Sequence, residues 1–144
     1  MNPSLRKVVT MIKLFVTWAG SLMVFLLLDM VWLGVVARDF YHSRLSGVIE
    51  LAVNWPFAIL FYVLHVTGVI VFVTMPAVQG GVAVGGLLLR GALYGLFTYA
   101  TYDLTNLATV RGWPVGLAFV DIAWGMLLNA AVALAGFWLL RRLG

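Results

Sequence analysis

Between Leu14 and Ala37 the chain runs for 24 residues with a single charged side chain, Asp29. A helix of that length crosses the roughly 30 Å hydrocarbon layer of a bilayer. Hydrocarbon offers no partner to backbone N–H and C=O groups, so chain passing through it must close its hydrogen bonds internally. A cleaved signal peptide does not fit: its apolar region is about 7–15 residues long with a small-residue exit, whereas this run ends in Arg38-Asp39. The whole chain has the same character. It is 64% hydrophobic and 10% charged, where soluble domains are nearer half apolar and a quarter charged. Cysteine is absent, which removes disulfides, Cys-ligated metals and thiol chemistry.

Three more apolar stretches follow. One begins at Asn54-Trp55-Pro56, with Asn54 as expected N-cap, Pro56 in the first turn and Trp55 as interface anchor. It runs to about Thr74, and Pro76 with Gln79-Gly80-Gly81 is expected to make the turn. The next covers 84–109, and after Arg111-Gly112 a second Trp-Pro start, Trp113-Pro114, opens the last, which closes near Arg141-Arg142. The expected fold is a single all-α membrane domain over 1–144: a bundle of four transmembrane helices at 14–37, 55–74, 84–109 and 114–140, after a basic lead over residues 1–12. Between the first two, Leu45, Val48, Ile49 and Ala52 recur at helical spacing opposite Arg44, Gly47 and Glu50, which predicts a short amphipathic helix lying in the interface over 38–53.

Basic residues set the orientation. With four spans, Arg6, Lys7, Lys13, Arg141 and Arg142 share one side against Arg38, Arg44 and Arg111 on the other, so both termini are expected in the cytoplasm. The formal +4 charge is spread over ends and loops, which argues for headgroup contact and against nucleic acid.

The third stretch is the odd one. Tyr94–Pro114 carries Tyr94, Thr98, Tyr99, Thr101, Tyr102, Asp103, Thr105 and Asn106 at membrane depth. An unsatisfied polar group there costs several kcal/mol, so most of this helix is expected to face protein or trapped water. Leu89, Leu93, Leu96, Phe97, Ala100, Leu104 and Leu107 form the arc left for lipid, and Gly91 and Gly95 allow a close neighbour. Three carboxylates, Asp29, Asp103 and Asp121, fall at a common depth, roughly 6–10 Å from the midpoints of their spans. Two carry an indole at i+3, in Asp29-Met-Val-Trp32 and Asp121-Ile-Ala-Trp124, close enough to donate to the acid or screen it. The polar-pocket candidates are therefore Asp29, Trp32, His65, Tyr99, Tyr102, Asp103, Asn106, Asp121 and Trp124. Three ionised carboxylates cannot share a dry pocket without counter-charge. One is protonated, a cation sits among them, or an Arg folds in from the rim. Intramembrane acids are functional candidates by default, although the same residues also serve as helix caps and interhelical glue. His65 reads first as a neutral helix-to-helix hydrogen bond. Arg90 reads as a side chain reaching for headgroups, with Tyr94 as its companion at a bound lipid. No metal set or cofactor motif is present: there is no His-Glu-x-x-His, no dinucleotide fingerprint and no Gly-x-Ser-x-Gly.

The phrases FLLLDMVWLGVVARDFY (25–41), NWPFAILFYVLHVTGVIVF (54–72), GALYGLFTYATYDLTNLATVRGWP (91–114) and VDIAWG (120–125) resemble a family of small bacterial integral membrane proteins of unknown function, over nearly the whole chain. The resemblance implies four membrane helices and no assigned activity or catalytic residue. Its gene neighbourhoods, with lipid-modifying methyltransferases and flavin oxidoreductases, tilt the substrate class toward lipid. Three classes of function stand at this point. One is binding of a lipid or other hydrophobic small molecule in lipid modification or envelope-stress response. Another is a non-catalytic scaffold or subunit with a membrane-enzyme partner. The last is a small proton- or cation-coupled transporter working as a homo-oligomer.

The expected topology has a direct check. Reporter fusions after residue 8 and after Gly144 should both read cytoplasmic and one near Ser46 should read external; a cytoplasmic Ser46 fusion inverts the orientation.

Overall fold

A computed structural model of the chain describes residues 2–46, 48 and 53–144. Among these there is no strand. The first helix, α1 (Pro3–Val31), starts earlier than the apolar run because the Asn2 side chain accepts from Ser4 N–H at 3.2 Å and Pro3 presets the first turn. The basic lead is thus helical too. A π turn, Trp32–Val36, extends α1, closing with the Ala37 N–H on the Trp32 carbonyl at 2.7 Å. Then α2 (Arg38–Leu45) folds back. It ends at Ser46, so the helix expected over 38–53 is shorter at its far end; Ile49 and Ala52 of its proposed apolar face lie outside the described residues.

The next rod is α3 (Trp55–Val69), a second π turn (Ile70–Thr74) and α4 (Met75–Gln79), continuous over 25 residues. Asn54 occupies the N-cap position but its side chain makes no capping bond. Pro76 does not end this rod, contrary to the expected turn. Proline lacks an N–H and its ring strikes the carbonyl four residues back. The widened turn before it, where Met75 N–H reaches Ile70 O, accommodates both defects. The reversal comes at Gly80-Gly81, with Gly81 at φ +61°, a backbone region open to glycine. The last two helices are α5 (Val84–Thr109) and α6 (Val115–Leu143).

Three rods, Pro3–Val36, Trp55–Gln79 and Val115–Leu143, are long and apolar enough to cross a membrane. The fourth, α5, has the length at 26 residues, but Arg90, Asp103 and its hydroxyls leave it too polar to qualify on composition. Among the described residues, length and apolarity establish three spanning helices where four were expected.

α6 is the central element. α5 lies antiparallel along one side, with Gly91 beside Ala130 and Gly95 beside Gly125. α1 lies antiparallel along another, with Gly20 beside Leu139 and Ser21 beside Gly136. α3 packs antiparallel to α1, where Trp18 Nε1–H donates to Thr67 Oγ1 at 3.0 Å. The shared core is Phe25, Val66, Val69, Leu87, Leu128, Val132 and Phe137. A smaller cluster of Leu45, Trp113, Leu117 and Ala118, with Val48 against it, seats α2 on the start of α6. α3 and α5 meet through the second π turn, where the Tyr94 hydroxyl rests on Gly68, and where the His65 ring packs edge-on against Tyr94 and Tyr99 with centroids 5.5 and 6.2 Å apart. Toward the α2 end they part, leaving Phe61 and Tyr102 exposed.

Thr101 and Thr105 correct one expectation: they face outward rather than into protein. Their hydroxyls donate to Phe97 O and Thr101 O, both at 2.6 Å. The helix's own carbonyls meet the need that a neighbouring helix was expected to fill.

The α5–α6 seam depends on missing side chains. A Cβ on Gly91 would sit 2.8 Å from Ala130 Cα, and one on Gly95 would strike the Gly125 carbonyl, where only backbone can yield. Gly95→Ala should therefore cost roughly 1–3 kcal/mol as an overpacking defect, read as a lower unfolding midpoint in detergent, whereas Gly85→Ala, with open space around it, should leave the midpoint unchanged.

Candidate functional site

The two Asp-x-x-Trp segments sit on antiparallel helices and meet face to face. The Trp32 and Trp124 rings stack with centroids 4.4 Å apart and planes within 5°. The expected service of each indole to its own acid is replaced by a crosswise one. Trp124 of α6 tilts its N–H toward Asp29 of α1 without closing a hydrogen bond. Trp32 of α1 directs its N–H at the Tyr41 hydroxyl, 3.5 Å away, and Tyr41 donates in turn to Asp121 of α6. Antiparallel packing causes the exchange, because residue i+3 on one helix then lies level with residue i on the other. Asp29 takes its donor from α3, where Tyr62 O–H reaches Oδ2 at 2.9 Å.

Tyr41 arrives from outside the long helices, on α2. Burial first, and then the adjacent Asp121 carboxylate, push its phenol pKa upward, so it keeps its proton and stays a donor.

Asp103 is fully buried behind Asp121, whose carboxyl is its neighbour. Its Oδ1 accepts Trp113 Nε1–H at 3.3 Å, and its Oδ2 has no partner. Trp113 is thus a buried donor rather than the interface anchor its Trp-Pro setting suggested. Gly112, at φ +82°, makes the turn that swings it inward. Asn106 carries a buried Nδ2 without a partner, turned toward Tyr102.

Asp29, Asp121, Tyr99, Tyr102, His65 and Trp124 line one cavity of about 440 Å³. Tyr41 and Leu45 of α2 close its top, Tyr62 and Phe61 of α3 form one wall, and Trp113 and Leu117 complete the far side. Trp32 backs this wall through Trp124, and Asp103 and Asn106 stand outside the lining. His65 bonds to Asn129 Oδ1 through Nε2 at 2.7 Å. Because Asn129 Nδ2 donates to Gly125 O at 2.8 Å, its Oδ1 must be the acceptor and His65 Nε2 the donor. This joins α3 to α6, as expected of a lone membrane histidine. Arg90 and Tyr94 lie apart from the cavity: Arg90 is exposed toward the opposite end of α5, and Tyr94 packs on Gly68.

The three possible sources of counter-charge separate here. Arg44, on α2, lies over the Phe40 ring at 4.3 Å. No three acidic, His or Cys side chains among the described residues converge on a point that would hold a metal ion. The carboxyls are instead met by neutral phenol and indole donors.

Tyr62, Tyr41 and Trp113 are the participants that sequence reasoning did not select. Tyr62 stands three residues before His65 and so on the same helix face, a signal present in the sequence. Tyr41 and Trp113 depend on how α2 and the Gly112 turn fold back, which no helical period encodes.

Long apolar helices with buried carboxyl groups collected near one end define an integral membrane protein. The chain belongs to the family described as predicted membrane protein, DUF2177, whose model matches residues 14–138. Neither a curated protein nor a solved structure matches it.

The Asp103 environment gives opposite signs for two substitutions. Asp103→Asn keeps an acceptor for Trp113 and supplies an N–H to Asp121, so thermal stability in detergent should be equal or higher. Asp103→Leu strands the Trp113 N–H and should cost roughly 1–3 kcal/mol in the same measurement.

Proposed function

We propose that this protein binds a lipid or other hydrophobic small molecule in the cavity beneath α2, as a four-span protein of the bacterial inner membrane with both termini cytoplasmic. The observation that carries the reading is the cavity itself. Its volume of about 440 Å³ falls within the roughly 300–1,000 Å³ of small-molecule sites, and its walls are mainly apolar and aromatic with a few converging polar groups. The gap between α3 and α5, flanked by exposed Phe61 and Tyr102, supplies a side entrance for a molecule already dissolved in the membrane. Counting α5 as the fourth span is supported by its length, roughly 39 Å at 1.5 Å per residue, and by its seam with α6. The charge bias then turns the α2 end outward.

Binding is favoured over a conduction path by what lies below the cavity. Between His65 and the end bearing Arg90 stand Val66, Val69, Leu87, Leu128 and Val132, all buried and apolar. Among the described residues the buried polar side chains in that half are the hydroxyls of Thr17, Ser21 and Thr74, with no ionisable group to relay a proton or cation. Lipid modification or envelope-stress response remains the setting that suits such a binder.

Thr98 lines the cavity, and its hydroxyl is bonded only to carbonyls of its own helix, Tyr94 O at 2.9 Å and Gly95 O at 3.2 Å. Thr98→Phe should fill the space with little damage to the fold. Native mass spectrometry of mildly extracted wild type is expected to show a co-purifying hydrophobic molecule that Thr98→Phe lacks; the same adducts on both proteins would refute the reading.

A further inference from the structure

Resting on that binding reading, we infer that the cavity selects an amphiphile with a cationic head, an alkylammonium or quaternary ammonium group on an apolar tail. The chain carries nine Lys and Arg against five Asp and Glu, yet the cavity wall holds two of the acids, Asp29 and Asp121, and none of the bases. Among the described residues the titratable base at the wall is His65, whose Nε2–H is committed to Asn129. A carboxylate away from water is costly unless a charge or strong donors meet it. Here each has one phenol donor, Tyr62 for Asp29 and Tyr41 for Asp121, so each keeps acceptor capacity unused.

The rest of the wall suits the same occupant. Tyr99, Tyr62, Trp113 and Trp124 bring aromatic rings to the carboxylates. Ring faces attract a cation, most strongly where water is excluded, and boxes of aromatic residues are a recurrent way to hold ammonium groups. An anionic headgroup would meet two carboxylates and no positive partner. A neutral alcohol would satisfy an acceptor but gain nothing from the rings. The α3–α5 gap admits the tail from the side, with the head between Asp29 and Asp121.

The probes are dodecyltrimethylammonium, dodecanol and dodecyl sulfate, which share a tail and differ in charge. Each is titrated into the full chain in nanodiscs of uncharged galactolipid, with empty nanodiscs subtracted, and followed by tryptophan fluorescence. The ammonium should bind saturably, the alcohol about tenfold more weakly, and the sulfate not at all. Asp29→Asn with Asp121→Asn keeps acceptors for both tyrosines and should lower ammonium binding to the alcohol level. Should that double variant not fold, each single Asn variant should lose a part of the difference. Equal binding of alcohol and ammonium, binding of the sulfate, or ammonium binding that survives the Asn substitutions overturns the cationic inference. In those cases sensitivity to Thr98→Phe still upholds the cavity as a binding site. Absence of saturable binding by all three probes overturns the cationic inference, and co-purified adducts unchanged by Thr98→Phe overturn the binding reading itself.

Discussion

Water is what this protein lacks along most of its length, and the arrangement of its polar groups follows from that. In hydrocarbon each donor or acceptor must find its partner within the chain, and the helices use two ways of doing so. Where a hydroxyl can reach a carbonyl one turn back, the helix serves itself, as Thr98, Thr101, Thr105 and Thr109 do along α5. Ser21 and Thr74, beside Gly136, keep buried hydroxyls without a partner, and the carboxylates are gathered at the α2 end. There Asp29, Asp103 and Asp121 are met by Tyr62, Trp113 and Tyr41 from other parts of the chain.

Tertiary packing and polar satisfaction are therefore the same problem in this fold. The Trp32–Trp124 stack joins α1 to α6, and the Trp32 N–H is linked to Asp121 through the Tyr41 hydroxyl. The His65–Asn129 bond joins α3 to α6. The glycine seam brings α5 against α6 closely enough for the Tyr99 ring to rest on Gly125. All three attachments converge on α6, leaving α3 and α5 without a comparable tie. That is where the structure opens. The cavity lies beside the helix pairs that the polar residues join.

Much of this was legible in the sequence. Apolar run length announced the helices, and the 84–109 boundaries agree with α5 because Gly-rich and Arg-Gly segments bracket it. The common depth of three acids pointed to the right end of the molecule. Gly91 and Gly95 were readable as a close-packing face, and His65 as a helix-to-helix contact. The boundaries that shifted did so for local reasons outside apolar patterning: Asn2 capping lengthened α1, and a π turn carried α3 past Pro76.

Depth is a one-dimensional quantity, and sequence along a helix supplies only that and a direction around the axis. It determined that Asp29, Asp103 and Asp121 lie level, and that an indole stands one turn from two of them. Which indole serves which acid depends on helices packing antiparallel, so the crosswise exchange exists only in three dimensions. The same holds for Asp103, which depth placed with the others but packing sets behind Asp121 and outside the cavity. It holds for Tyr41 and Trp113, whose positions come from short segments folding back over the helix ends. Composition and period specify which residues must be hidden from lipid; only the assembled helices decide what each is hidden against, because a partner is a matter of distance between separate elements.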